Sequence, residues 1–183
     1  AWTWEHMALT RARVLTGSRE ARAQLEEIIG RVLAAPRDTA KLRADVLEMR
    51  QDMAAYKPAR GPLDAKLLRG GLVDLEFLTH YLQLRERCAF SPDLGVALEQ
   101  LAERGLVSGD LIEHSRFMTR VLVGVRLLAP DLAVPQNAAA IVLAHQAGHE
   151  DMAGLLRALA EARQSVARDW AAIFGETLET TDE

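Results

Sequence analysis

The 183-residue sequence holds one cysteine, Cys88. A single thiol excludes an internal disulfide and any zinc site built on several cysteines. No companion residue marks Cys88 as a nucleophile. Long hydrophobic runs are missing too, none nearing the ~20 residues of a membrane span. Strand-like alternation is absent, and no internal repeat has a convincing period. Neither sign of charge dominates: 22 Lys and Arg stand against 26 Asp and Glu, net -4, so broad nucleic-acid binding is not expected. There is no G-x-S-x-G elbow, Walker loop or G-x-G-x-x-G fingerprint. His145 and His149 are four apart, but Gln146 stands where a catalytic zinc helix needs Glu, and Gly148 lies between them. No metal site is expected. The N-terminal AWTWEHMALTRAR carries charges throughout, unlike a signal peptide. It starts without Met in mid-pattern, so the chain is expected to be a piece of a longer protein.

What is present is helical periodicity. Hydrophobic residues make up 49% and charged residues 26%, as in a globular domain with a substantial core. The apolar spacing predicts helices over Trp2 to Leu15, Ser18 to Ala34 and Asp38 to Tyr56. Ser18 caps the second, whose apolar side is Leu25, Ile28, Ile29, Val32 and Leu33. In the third, Leu42, Val46, Met49, Met53 and Tyr56 form one stripe. Asp45, Glu48 and Asp52 line up beside it, a row that reads either as a solvated face paired with Lys and Arg or as a cation site. Further helices are expected from Leu94 to Arg104, Ser108 to Leu128, Asn137 to Ala147 and His149 to Phe174, leaving an acidic, flexible tail over 175–183. The fold class is all-α: about eight helices in one bundle domain spanning 1–183.

The chain is organised around Gly61 to Leu84, GPLDAKLLRGGLVDLEFLTHYLQL. A loop with Asp64, Lys66, Arg69 and Gly70-Gly71 leads into a helix, reaching about Arg87, that is apolar on two sides. At about 100° per residue, Leu72, Leu75, Leu78 and Leu82 share one side, and Val73, Phe77, Tyr81 and Leu84 the other. Such a helix belongs at the centre of a domain. Its narrow polar stripe is Glu76, His80, Gln83 and Arg87, read either as a network with a neighbouring helix or as a wall of a nucleotide site. Asp74 lies roughly opposite Glu76, which argues against a paired-carboxylate site on this helix. The loop reads either as a tight turn before a buried helix or as an anion site, where free helix N–H groups face a phosphate or carboxylate.

Two stretches carry a resemblance. WEHMALTRARV at Trp4 to Val14 is similar to the W-E-x-x-A-L-x-R-A-R segment of glutamine synthetase adenylyltransferases. D-A-K-L-L-R-G-G-L-V-D-L-E-F-L-T-H-Y-L at Asp64 to Leu82 resembles that family's D-x-K, G-G-x-x-D-x-E-F signature, and D-V-x-x-M-R at Asp45 to Arg50 matches in spacing. The resemblance covers the first half of the chain closely.

Members of that family are large cytoplasmic enzymes with two nucleotidyltransferase units. One attaches AMP from ATP to a tyrosine of glutamine synthetase and the other removes it. Each unit pairs a mixed α/β catalytic domain with a helical bundle. The catalytic motif, a Gly-Ser pair with an Asp-x-Asp that holds magnesium, does not occur here, since the chain has no Asp-x-Asp. The resemblance therefore implies a bundle that follows an absent catalytic domain and is inactive alone. The acidic tail points to the C-terminal, transferase unit. By the same resemblance Lys66, Arg69, the Gly70-Gly71 backbone and the helix N-terminus would face the triphosphate. Asp74 would orient the loop or cap its N–H groups, with Arg11 and Arg13 as further cations from the first helix. Where the family has Gln, this chain has His80. ATP and magnesium are the expected cofactors of the whole enzyme. Expected partners are glutamine synthetase, the PII signal protein and the preceding domain. Two other readings are a regulatory docking module for glutamine synthetase or PII, and the equivalent domain of a PII uridylyltransferase. The D-x-E-F ending argues against the latter.

Overall fold

The computed structural model describes residues 2–180. Among them lie eight helices and no strand: α1 (Thr3–Leu9), α2 (Arg19–Ala34), α3 (Thr39–Tyr56), α4 (Leu72–Glu86), α5 (Leu94–Glu103), α6 (Asp110–Leu128), α7 (Asn137–Gln146) and α8 (Met152–Phe174). None is long and apolar enough to cross a membrane.

α4 is the axis, touching α1, α3, α5, α6 and α8. Its two-sided apolar pattern explains this: Leu75, Leu78 and Leu82 are completely buried, and Tyr81 and Leu84 nearly so. Each such side chain stabilises the fold by about 1.5–3 kcal/mol. Tyr81 meets the ring of Phe174, 4.6 Å between centroids, and Phe174 meets Trp170 at 4.3 Å, which fastens α4 to the end of α8. α6, α7 and α8 pack on one another, with Met118, Leu143, Leu159 and Val166 buried between them. One buried cluster draws on all eight helices.

The ends of several helices differ from the sequence expectation. α1 stops at Leu9, because Thr10 is buried and its hydroxyl donates to the Met7 carbonyl while meeting His80 of α4. Arg11 and Arg13 thus lie on a connector, not on a helix. α6 begins at Asp110, not Ser108; Ser108 is tied instead to Asp169 of α8 through its N–H at 2.7 Å and its hydroxyl at 2.6 Å. α8 begins at Met152, not His149, because Gly148 turns at φ 89° and Asp151 is the residue that caps, accepting from the Gly154 N–H. Ser18 and Asp38 cap α2 and α3.

Two apolar stripes also differ. Leu25 and Ile28 of α2 are exposed and only Leu33 is buried, since α2 packs chiefly on α1. On α3, Tyr56 is exposed, and the third buried residue after Leu42 and Val46 is Arg50. Of the acidic tail, 175–180 runs beside α3 and α8: Arg43 donates to the Phe174 carbonyl and pairs with Glu176 at 3.1 Å. Residues 181–183 lie outside the described residues.

Candidate functional site

The Gly61–Gly71 loop is held by its own carboxylates. Asp64 is buried, and its side chain accepts from the N–H groups of Leu67 at 3.1 Å and Arg60 at 3.3 Å. Asp74, one turn into α4, is completely buried and accepts the Gly70 N–H at 2.7 Å. It also takes two guanidinium donors of Arg50, Nε on Oδ1 and NH2 on Oδ2 at 3.2 Å. From α8, Arg163 Nε donates to the Arg69 carbonyl at 2.9 Å. Three helices therefore grip one short loop through charged side chains.

This grip answers where the helix N–H groups point. They do not lie open towards the loop. Gly71 donates to Leu68 O, Leu72 to Ala65 O at 2.9 Å and Val73 to Lys66 O at 3.1 Å. Three donors of the helix end are thus taken by loop carbonyls, as buried backbone groups require. The glycines are needed for fit. A Cβ on Gly70, at φ +76°, would sit 2.2 Å from the Arg163 carbonyl oxygen, and one on Gly71 2.7 Å from two loop carbonyls. The loop is thus a close-fitted platform that buries Leu63, Asp64 and Ala65 and leaves Lys66 exposed.

Lys66 is exposed, and its ammonium pairs with no carboxylate among the described residues. Arg69 is half-buried; its pKa is lowered, first by burial and then by Arg50, with Asp74 opposing. An arginine so placed still carries its charge. Asp74, Gly70, Arg50 and Arg69 thus form one cluster. Arg11 and Arg13 stand apart from it. Arg11 is exposed and 4.0 Å from Glu76, which leaves α4 on a different side from Asp74, and Arg13 is exposed on the connector.

The polar stripe of α4 is a network with its neighbours. Thr10 gives its proton to Met7, so it accepts from His80 Nδ1 at 2.8 Å, and Gln83 Oε1 lies 2.9 Å from the same nitrogen. The proton is therefore assigned to Nδ1. Gln83 Nε2 donates to the Ala89 carbonyl, fixing its amide. Burial, the largest influence, holds His80 below its ordinary pKa; the Gln83 bond opposes and Arg11 adds to the lowering. Asp45, in the carboxylate row of α3, is bound to Lys41 and Thr3. No three His, Cys, Asp or Glu side chains converge among the described residues.

Sequence reasoning missed Arg50 and Arg163. Both had a signal: Arg50 follows Val46 by four, and Arg163 follows Leu159 by four, so each is a charge on the buried stripe of its helix.

The class follows from these features: an all-α module whose central helix starts from a loop locked by buried ion pairing. No protein-family model matches the chain. Curated relatives do. The bifunctional glutamine synthetase adenylyltransferase/adenylyl-removing enzyme of Bradyrhizobium is 35% identical over 187 aligned positions, 96% of this chain and 19% of that protein. The enzyme of the same name from Brucella suis is 41% identical over 140 residues, 73% of this chain and 14% of that protein. That from Xanthobacter autotrophicus is 48% identical over 89 residues, 49% and 9%. The chain belongs to the family of these adenylyltransferases, and it spans less than a fifth of the length of the relatives it matches.

Proposed function

We propose that the chain is the helical module beside a nucleotidyltransferase domain that moves AMP from ATP to a tyrosine of glutamine synthetase, in the transferase unit of the enzyme. Its part is to close the ATP site. The observation that carries this reading is the exposed ammonium of Lys66, which pairs with no carboxylate among the described residues, on a loop held by Asp64, Asp74, Arg50 and Arg163. A cation fixed in advance where negative charge grows on departing pyrophosphate lowers the barrier without reorganisation cost. Arg69 extends the same charge, while Gly70 and Gly71 supply shape and Asp74 supplies position. Arg11 and Arg13, on the other side of α4, would reach the nucleotide only from a second edge.

On this reading magnesium is held elsewhere in the enzyme; among the described residues no three His, Cys, Asp or Glu side chains gather, and Asp45 is engaged by Lys41. The metal carboxylates would then belong to the catalytic domain. The chain alone is expected to be inert, and the enzyme cytoplasmic.

The test is transfer of labelled AMP from ATP to glutamine synthetase by a polypeptide that includes the catalytic domain, with and without Lys66→Ala. Loss of the exposed cation is expected to lower the rate at saturating substrate roughly 10²-fold, the scale of one transition-state donor. An unchanged rate in a folded variant would remove Lys66 from catalysis. A second reading, docking of glutamine synthetase or PII, is favoured by the uncovered Trp4, Leu25 and Ile28. It predicts weaker partner binding, at an unchanged rate once partner saturates, when Leu25 and Ile28 become serine.

A further inference from the structure

A cleft of about 740 Å³ opens between α1 and α3, away from the Gly-Gly loop. Its floor is apolar: Leu42 is buried and Met49 half-buried. Two indoles wall it on the α1 side, Trp2 with 73% of its surface exposed and Trp4 with 53%. Aromatic rings of that size are ordinarily covered, and they carry most of the energy where proteins meet.

The α3 side is acidic. Asp45, Glu48 and Asp52 recur at spacings of three and four, so they share one helix face. The cations of the cleft are already committed. Lys41 pairs with Asp45 at 2.7 Å, and Asp45 also accepts from Thr3. Arg37 gives its terminal nitrogens to the carbonyls of Val32, Leu33 and Ala35. Asp38 is turned to the N–H groups of Ala40 and Lys41. His6 is held below its ordinary pKa, first by burial and then by Arg37, and is neutral at pH 7. Two charges are left over. Glu48 and Asp52 are exposed, and neither forms an ion pair among the described residues. Like charges four apart on a helix repel, and a cation between them reverses the sign.

One kind of side chain satisfies the floor, the wall and the rim together. An arginine stem covers apolar surface, its guanidinium stacks on indole faces, and its fork of donors fits carboxylates. We propose that the cleft between α1 and α3 is a docking groove for an arginine-bearing segment of a partner protein. In it the guanidinium lies against Trp2 and Trp4 and within reach of Glu48 and Asp52. The proposal gives a chemistry to the docking reading above, and rests on it only for the involvement of a protein partner.

The experiment follows the fluorescence anisotropy of a labelled, end-capped pentapeptide, Ala-Leu-Arg-Leu-Ala, as the chain is added. A second peptide carries citrulline, the uncharged isostere, in place of arginine. The arginine peptide is expected to bind about tenfold more tightly. Glu48→Gln with Asp52→Asn brings it down to the citrulline level. Trp2→Leu with Trp4→Leu keeps an apolar wall without ring faces, and weakens the arginine peptide by about three- to fivefold. Glu103→Gln with Glu150→Gln removes the same charge from exposed positions outside the cleft and leaves binding as in the parent. Circular dichroism checks that each variant keeps its helicity. No binding of the arginine peptide, equal binding of both peptides, or an arginine preference that survives the loss of Glu48 and Asp52 overturns the proposal. So does an equal loss in the Glu103 and Glu150 variant, which would assign binding to net charge. Leu25 and Ile28 do not line this cleft, and neither ATP nor glutamine synthetase enters the titration. Its failure therefore leaves the earlier assays standing, and theirs leaves this one standing.

Discussion

Removing the carboxylate of Asp74 should be among the most costly single changes in the protein. Arg50 is 2% exposed and Asp74 not at all. Asp74 satisfies two donors of Arg50 and the N–H of Gly70. In Asp74→Ala all three donors lose their acceptor inside the core, and the guanidinium stays behind as an unpaired buried charge. Breaking a buried pair from one side costs about 3–5 kcal/mol. For a chain of this size each kcal/mol moves the melting temperature by about 2–4 °C, so a fall of roughly 12 °C is expected. Asp74→Asn should cost nearly as much, because the amide nitrogen cannot accept from Arg50 or Gly70. The double change Arg50→Met with Asp74→Leu removes charge and partner together and should recover more than half of the loss. Urea melts followed at 222 nm measure all three. A loss below about 1 kcal/mol in Asp74→Ala, or a double variant no more stable than Asp74→Ala, would refute the reasoning.

Gly70→Ala combines a left-handed backbone angle with a Cβ 2.2 Å from the Arg163 carbonyl, so a loss of about 3 kcal/mol is expected in the same melts, against near-normal stability for Gly30→Ala, where nothing lies within 4 Å. His80 is held neutral by burial, below its ordinary 6.5. The unfolded chain therefore binds the proton first as pH falls. The stability this neutral histidine contributes is complete above about pH 6.5 and declines as pH drops towards the lowered folded value, by at most about 1.4 kcal/mol per pH unit. His80→Gln should flatten the parent's slope between pH 7 and 5; parallel slopes would mean that other groups, His6 among them, carry it. Ser108→Ala loses the hydroxyl bond to Asp169 and keeps the backbone N–H bond, so at this exposed end it should cost about 0.5–1 kcal/mol, cancelled when Asp169→Ala is already present.

The helical class, the order of the elements and the centrality of α4 were legible because a helix that is apolar on two sides has nowhere stable to lie except inside others. Ser18 and Asp38 marked two helix starts through a local side chain to backbone bond, which needs no tertiary partner. The ends of α1 and the start of α6 were not legible. Thr10 stops α1 because of His80, seventy positions away, and Ser108 is drawn to Asp169, sixty-one positions away, instead of opening α6. The uncovered side of α2 was hidden for the same kind of reason. An apolar stripe states that a face prefers burial, and only the packing decides whether a neighbour arrives.

The residues of the candidate site divide along the same line. Lys66, Arg69, Gly70, Gly71 and Asp74 stood out in sequence because they crowd one short loop and the turn that follows it. That crowding also held the relationship to the adenylyltransferases. What each does was decided in three dimensions. The glycines are required by the Arg163 carbonyl and the loop oxygens, the amides of Gly71, Leu72 and Val73 are spent on loop carbonyls, and Asp74 answers to Arg50 across the bundle. The sequence by itself determined the class of fold, because helix periodicity and capping are short-range properties of the chain. Only the tertiary structure decided which charges are buried and which remain free to act, because desolvation and ion pairing depend on neighbours that are distant along the chain.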